Sequence, residues 1–307
     1  MCLLDEIKNA KQRSEELAKF AIGDKDIVKK YFLQSEMQEI VKRDLMNNNP
    51  DKLFQEYKEY FETKNLPIKI IRSDECFYRG RIGNEMIYGA DDDCDVDFIL
   101  PYYQKQIESP PPVYTAGGRF NRQGISYLYL ADTIETCLAE VHLQIGQNCS
   151  VGKFKCKQEI EVIDLTKFNG DLEMEIWLEI MTQPVHIGTQ HIYNTTCFLA
   201  DVFKSINRFG IYFESVQAAG HNIVCFDPSL FELIKYSEKI YTATKINYLY
   251  QEVEDSIRKY AKRQGELSIN SYNENVERRN DEKFEYLSKW IECERENLKK
   301  EEMMKTF

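Results

Sequence analysis

Over the first 64 residues apolar positions recur every three or four places, the spacing of one helix face. Ile27 with Tyr31 and Val28 with Phe32 are i,i+4 pairs, and Met37, Ile40, Val41 and Leu45 extend the stripe until Asn47-Asn48-Asn49-Pro50 breaks it. Leu53, Phe54, Tyr57, Tyr60 and Phe61 then predict a further helix. From Leu66 the period shortens to two, and LPIKIIR and CFYRGRI read as strands. Strands are also predicted from Ser126 to Ala131, Ser150 to Lys155, Glu159 to Leu165, Gly210 to Phe213 and Asn222 to Phe226, with helices from Leu172 to Met181 and from Tyr193 to Asn207. Residues 83–112 read as a long loop, and the mixed charge from Gln251 to Phe307, around Ile257, Tyr260, Trp290 and Ile291, predicts amphipathic helices. The pattern describes an α+β chain, with a helical accessory region over 1–65, a mixed β core over 66–235 and a helical extension over 236–307.

Composition narrows the classes. At 307 residues and 43% hydrophobic the chain can bury a sizeable core, and a formal net charge of −11 disfavours nucleic acid as a partner of the whole surface. No run of about 18 apolar residues could span a bilayer, and the charged start MCLLDEIKNAKQRSEE is unlike a signal peptide, so a cytoplasmic protein is expected. Nine scattered cysteines without a C-x-x-C pair suggest reduced thiols and no metal site. The aspartates from Asp91 to Asp97 lack the glycine and distal glutamate offsets of a calcium loop and read as a solvated acidic loop.

Candidate chemistry centres on GGRFNRQGISYLYLADTIETCLAEVH, from Gly117 to His142. Two glycines can present Arg119 from a rim, and Asp132 with Glu135 is a capping-box signature for a helix whose Ile134, Leu138 and Val141 face the core, with Cys137 at the border. Glu140 falls in the last turn, where the helix dipole disfavours an acid, so it asks for solvent or a bound cation. Spacing alone favours solvent. Arg79 and Arg81 project from one face of their strand, as a solvent-facing charged pair or as a clamp for phosphate. Ser215 ends a strand without a G-x-S-x-G elbow, and His221 reads as structural.

Taken together, FYRGRIG, PPPVYTAGGRFNRQGISYLYLADTIETCLAEVH and FGIYFESVQAAGHNIVCFDP resemble the RES-domain family, over about Ile68 to Pro228. The resemblance implies an ADP-ribosyltransferase-like fold and the toxin half of RES-Xre toxin-antitoxin pairs. It implies an enzyme that breaks the nicotinamide–ribose bond of NAD+ by hydrolysis or phosphorolysis, with NAD+ as substrate and no further cofactor. On these positions the family's functional residues would be Arg79 (or Arg81), Arg119, Tyr129, Glu140 and Ser215. Glu140, Arg79 and Ser215 are then expected to be catalytic, and Arg79, Arg81, Arg119, Tyr129 and Ser215 to bind NAD+. A cognate antitoxin and self-association are the implied partners. The alternatives are ADP-ribosyl transfer to a macromolecule, or an inactive NAD-binding or interaction module. LQIGQ after Glu140 departs from the more basic or proline-containing stretch of relatives, and the helical ends are additions to the compact toxins.

Overall fold

Strands β7 (Ile160–Asp164), β8 (Gly210–Glu214) and β9 (His221–Cys225) carry apolar side chains at both parities, a pattern that demands cover on both faces of a sheet. The computed structural model describes residues 3–20, 24–46, 50–88, 98–167, 170–183 and 192–246, with Lys289 and Glu296. In it a nine-stranded sheet runs β1 (Ile68–Ile71), β7, β8, β9, β5 (Leu128–Ala131), β2 (Cys76–Ile82), β6 (Asn148–Cys156), β10 (Phe231–Leu233), and β11 (Lys239–Thr242) also pairs with β6. Among the described strands β7 and β8 pair in parallel and the other pairings are antiparallel. The fold is α+β.

One face of the sheet is covered by helices. α1 (Leu3–Lys19), α2 (Lys25–Leu45) and α3 (Pro50–Glu62) pack with α5 (Leu172–Thr182) and α6 (Ile192–Ser205) on Ile163, Ile211, Phe213 and Val224. Trp177, 1% exposed, meets Tyr57, Tyr60 and Phe61 edge-on, and its indole N–H donates to Tyr60 Oη at 3.1 Å. Tyr60 in turn donates to the buried Glu173, whose charge is matched by Lys64 at 2.6 Å and Lys11 at 3.2 Å. Trp177→Ala should therefore cost about 3–5 kcal/mol, read as a lower urea midpoint with an unchanged slope. The other face carries Ile71, Phe77, Phe154, Ile223 and Phe231, closed by Ile107.

Several expectations meet the structure with differences. Ile27 and Tyr31 are 67% and 68% exposed, because α2 turns Leu33, Met37, Ile40 and Val41 inward instead. The 83–112 stretch contains a two-stranded ribbon, β3 (Glu85–Ile87) with β4 (Phe98–Leu100); its short strands gave too little alternation to register. The acidic run from Asp91 to Asp97 lies outside the described residues. The chain divides into two units, Met1–Ile246 and Asn247–Phe307, and the amphipathic helices predicted for the second lie almost entirely outside the described residues. Among the described residues no helix is long and apolar enough to cross a membrane.

Candidate functional site

The sheet loosens where β2 meets β5, which pair only through Tyr78 and Ala131. Helix α4 (Ile134–Glu140) lies over β2, β5 and β6 at this point. The helix begins differently from the capping box expected. Thr133 is the N-cap, its hydroxyl accepting from Thr136 N at 3.1 Å, while Asp132 pairs with His221 at 3.0 Å. Thr136 and Cys137 are its buried residues, and burial pushes the Cys137 thiol up to about 12, where it is inert. Gly80 lets the helix sit close to β2: a Cβ there would stand 3.0 Å from Cys137 Sγ.

A cavity of about 420 Å³ opens beside α4, lined among others by Tyr78, Arg79, Arg119, Tyr129, Glu140, His142, Tyr193, Phe213 and Asn222. Four of the residues singled out in the sequence thus border one space. A fifth, Ser215, lies directly behind. Its hydroxyl accepts from the backbone N–H groups of Gln217 (3.1 Å) and Ala218 (3.2 Å), so its own proton is directed to Glu140 Oε1 at 2.6 Å. Ser215 thus donates to the acid while its oxygen accepts from two backbone N–H groups. Asn222, which sequence reasoning passed over, donates from Nδ2 to the same oxygen at 2.6 Å. A buried asparagine inside a strand is uncommon, and that was the available signal.

Arg119 reaches the cavity from the glycine turn. Its Nη1 donates to Gln183 O at 2.9 Å and Met181 O at 3.3 Å, carbonyls at the C-terminal end of α5, where the helix dipole favours a cation. The turn is fixed by Tyr129, whose hydroxyl donates to Asn121 Oδ1 (2.8 Å) and accepts from Phe120 N (3.1 Å); burial raises this phenol above its ordinary value. A Cβ on Gly118 would fall 2.7 Å from Asn121 Oδ1. Tyr129 thus lines the cavity with its ring and anchors the arginine loop with its oxygen.

Arg79 and Arg81 are arranged differently. Strand alternation turns Tyr78 and Gly80 toward α4, and turns Arg79, opposite Gly152, toward Ile107. The two guanidinium groups donate to main-chain carbonyls, Arg79 to Ile107 O at 3.0 Å and Arg81 to Gln106 O at 2.6 Å, and Arg81 stacks on Tyr102. Burial pulls Arg79 down to about 10. Carbonyl dipoles relieve the pair where the sequence suggested solvent, a bound anion or flanking carboxylates. Arg81 does not border the cavity.

Among the described residues neither Arg79 nor Arg119 has a carboxylate within ion-pair distance, and no cluster of three His, Cys, Asp or Glu suits a metal. His221 stacks on Tyr212 with centroids 5.0 Å apart. It alternates with Asn222 along β9, so the Asp132–His221 pair serves the face away from Glu140.

Residues 99–244 match the model of the RES domain. Over these residues the chain resembles a RES domain. The match contains Arg119, Tyr129, Glu140 and Ser215 and begins after Arg79 and Arg81, so the arginine inside it that faces the cavity is Arg119. No curated protein matches the chain. Among solved structures it is similar to the crystal structure of the M. tuberculosis MbcT-MbcA toxin-antitoxin complex, at 16% identity over 56% of this chain and 87% of that one, with a TM-score of 0.34.

Proposed function

We propose that the RES domain cleaves the nicotinamide–ribose bond of NAD+, as a toxin of a toxin-antitoxin pair restrained by a cognate antitoxin. The observation that carries the reading is the meeting, around one cavity, of Arg119 and Glu140, the first without a carboxylate partner and the second with one oxygen left open among the described residues. A dinucleotide asks for this division of labour: a cation for its diphosphate and an acid beside the sugar carbon that becomes positive. An ordinary glycosidase needs two carboxyl groups, one of them to protonate the leaving oxygen. Nicotinamide is already cationic at its ring nitrogen, so the C–N bond breaks with its electron pair returning to that nitrogen, and nicotinamide departs neutral. No general acid is needed.

Glu140 Oε2 then stabilises the oxocarbenium-like ribose, while Arg119 and the rings of Tyr129 and Tyr193 hold the two ends of the substrate. An acceptor oxygen completes the reaction: water gives ADP-ribose and releases a proton, and phosphate gives the 1-phosphate. Incubation of the protein with NAD+, with and without inorganic phosphate, identifies the acceptor from the products. Free nicotinamide with ADP-ribose or its phosphate supports the reading. Radiolabel transferred from NAD+ to a macromolecule would replace it with a transferase, and NAD+ bound but unconsumed would leave an inactive binding module.

A further inference from the structure

We infer that Asn222 is the positioning residue that selects which oxygen of Glu140 meets the substrate, and that its own Oδ1 offers a second acceptor to the same sugar. This rests on the proposed NAD+ reaction.

Glu140 is the last residue of α4, and a side chain there has several rotamers unless it is tied. Two ties are present, from Ser215 Oγ and Asn222 Nδ2, each 2.6 Å from Oε1. They come from different elements, Ser215 just after β8 and Asn222 within β9, so their lines of approach fix the carboxylate plane as well as its place. Because a carboxylate only accepts, the amide of Asn222 must turn its NH2 toward Glu140. Its carbonyl oxygen is thereby released to the other side. Among the described residues neither Glu140 Oε2 nor Asn222 Oδ1 has a hydrogen-bond partner, and neither is sealed from solvent, although Asn222 as a residue is only 6% exposed. Both residues line the cavity. The site therefore presents two adjacent acceptors with no donor between them, which suits a ligand carrying neighbouring hydroxyl donors, the 2′,3′-diol of a ribose.

Asn222→Asp keeps the shape and the cavity-side acceptor but replaces the donor to Glu140 with a second acidic oxygen. With NAD+ as probe, kcat should fall by about 10², the cost of a reacting group displaced by about an ångström. KM should stay within about threefold, since the lost contact is not made to the substrate. In the Glu140→Gln background the same change re-creates the bond in the opposite sense, Gln donating to Asp at the expense of the Ser215 bond, so Asn222→Asp should lower the melting temperature alone, and the double variant should lose less than the two single losses combined. Asn222→Asp with wild-type kcat, or a double variant in which the two losses of melting temperature simply add, overturns the proposal even if the wild type consumes NAD+. A wild-type protein that consumes no NAD+ fails the reading beneath it; the cycle in melting temperature then still decides whether Asn222 holds Glu140.

Discussion

Glu140→Gln is expected to bind NAD+ with affinity close to that of the wild type and to lose turnover by about 10³. The amide fills the same volume and can still accept from Ser215 and Asn222 through its carbonyl oxygen. That orientation places an NH2 dipole, positive end outward, where Oε2 faces the developing charge on ribose. The substitution therefore opposes the transition state while leaving the ground state nearly untouched, and the loss should fall in kcat with little change in KM. Nicotinamide release under saturating NAD+ measures it, with a thermal melt to show that folding is retained. Turnover within tenfold of the wild type would remove Glu140 from the chemistry.

Arg119→Ala and Arg79→Ala should separate cleanly, although the sequence offered both arginines for one task. Both border the cavity and, among the described residues, neither has a carboxylate partner, but Arg119 alone of the two lies within the family match. A charge-assisted contact to phosphate is worth about 1.5–3 kcal/mol, so its loss should lower kcat/KM by about 10- to 100-fold, mainly through KM. Arg79 directs its guanidinium to Ile107 O and helps pin the segment around residues 104–107 to the sheet. Its removal should cost about 1–3 kcal/mol of stability and change kcat/KM of the folded protein by less than tenfold. Steady-state kinetics beside urea unfolding distinguishes the two, and a reversal of the pattern would return the diphosphate contact to Arg79.

Much of this arrangement was legible in the residues. The alternating and the continuously apolar runs from Leu66 onward gave most strands of the large sheet, because each has one or both sides buried. The glycine turn, the tyrosine strand and the acid-bearing helix were readable as one block, since they are contiguous from Gly117 to His142. What sequence could not supply was direction. Which face of β2 carries Arg79, and so its bond to Ile107 O, depends on strand register, and one residue of shift exchanges the faces. Thr133 took the N-cap because Asp132 is held by His221, a partner 89 positions away. Asn222 was hidden for the same reason: its role exists only once β9 lies beside the end of α4. Ile27 and Tyr31 had the right spacing for a core stripe but fell on the solvent side of α2, because tertiary packing, not periodicity, chooses the face.

The central claim is that one cavity between β2, β5 and α4 receives NAD+ with its diphosphate at Arg119 and its nicotinamide ribose at Glu140. A crystal structure of the Glu140→Gln variant soaked with NAD+ tests it most directly. The expected result is the intact dinucleotide in this cavity, its ribose hydroxyls within hydrogen-bond reach of the introduced side-chain amide and of Asn222, and its phosphates on Arg119. NAD+ seated elsewhere on the RES domain, or a cavity left empty at saturating NAD+, would contradict it.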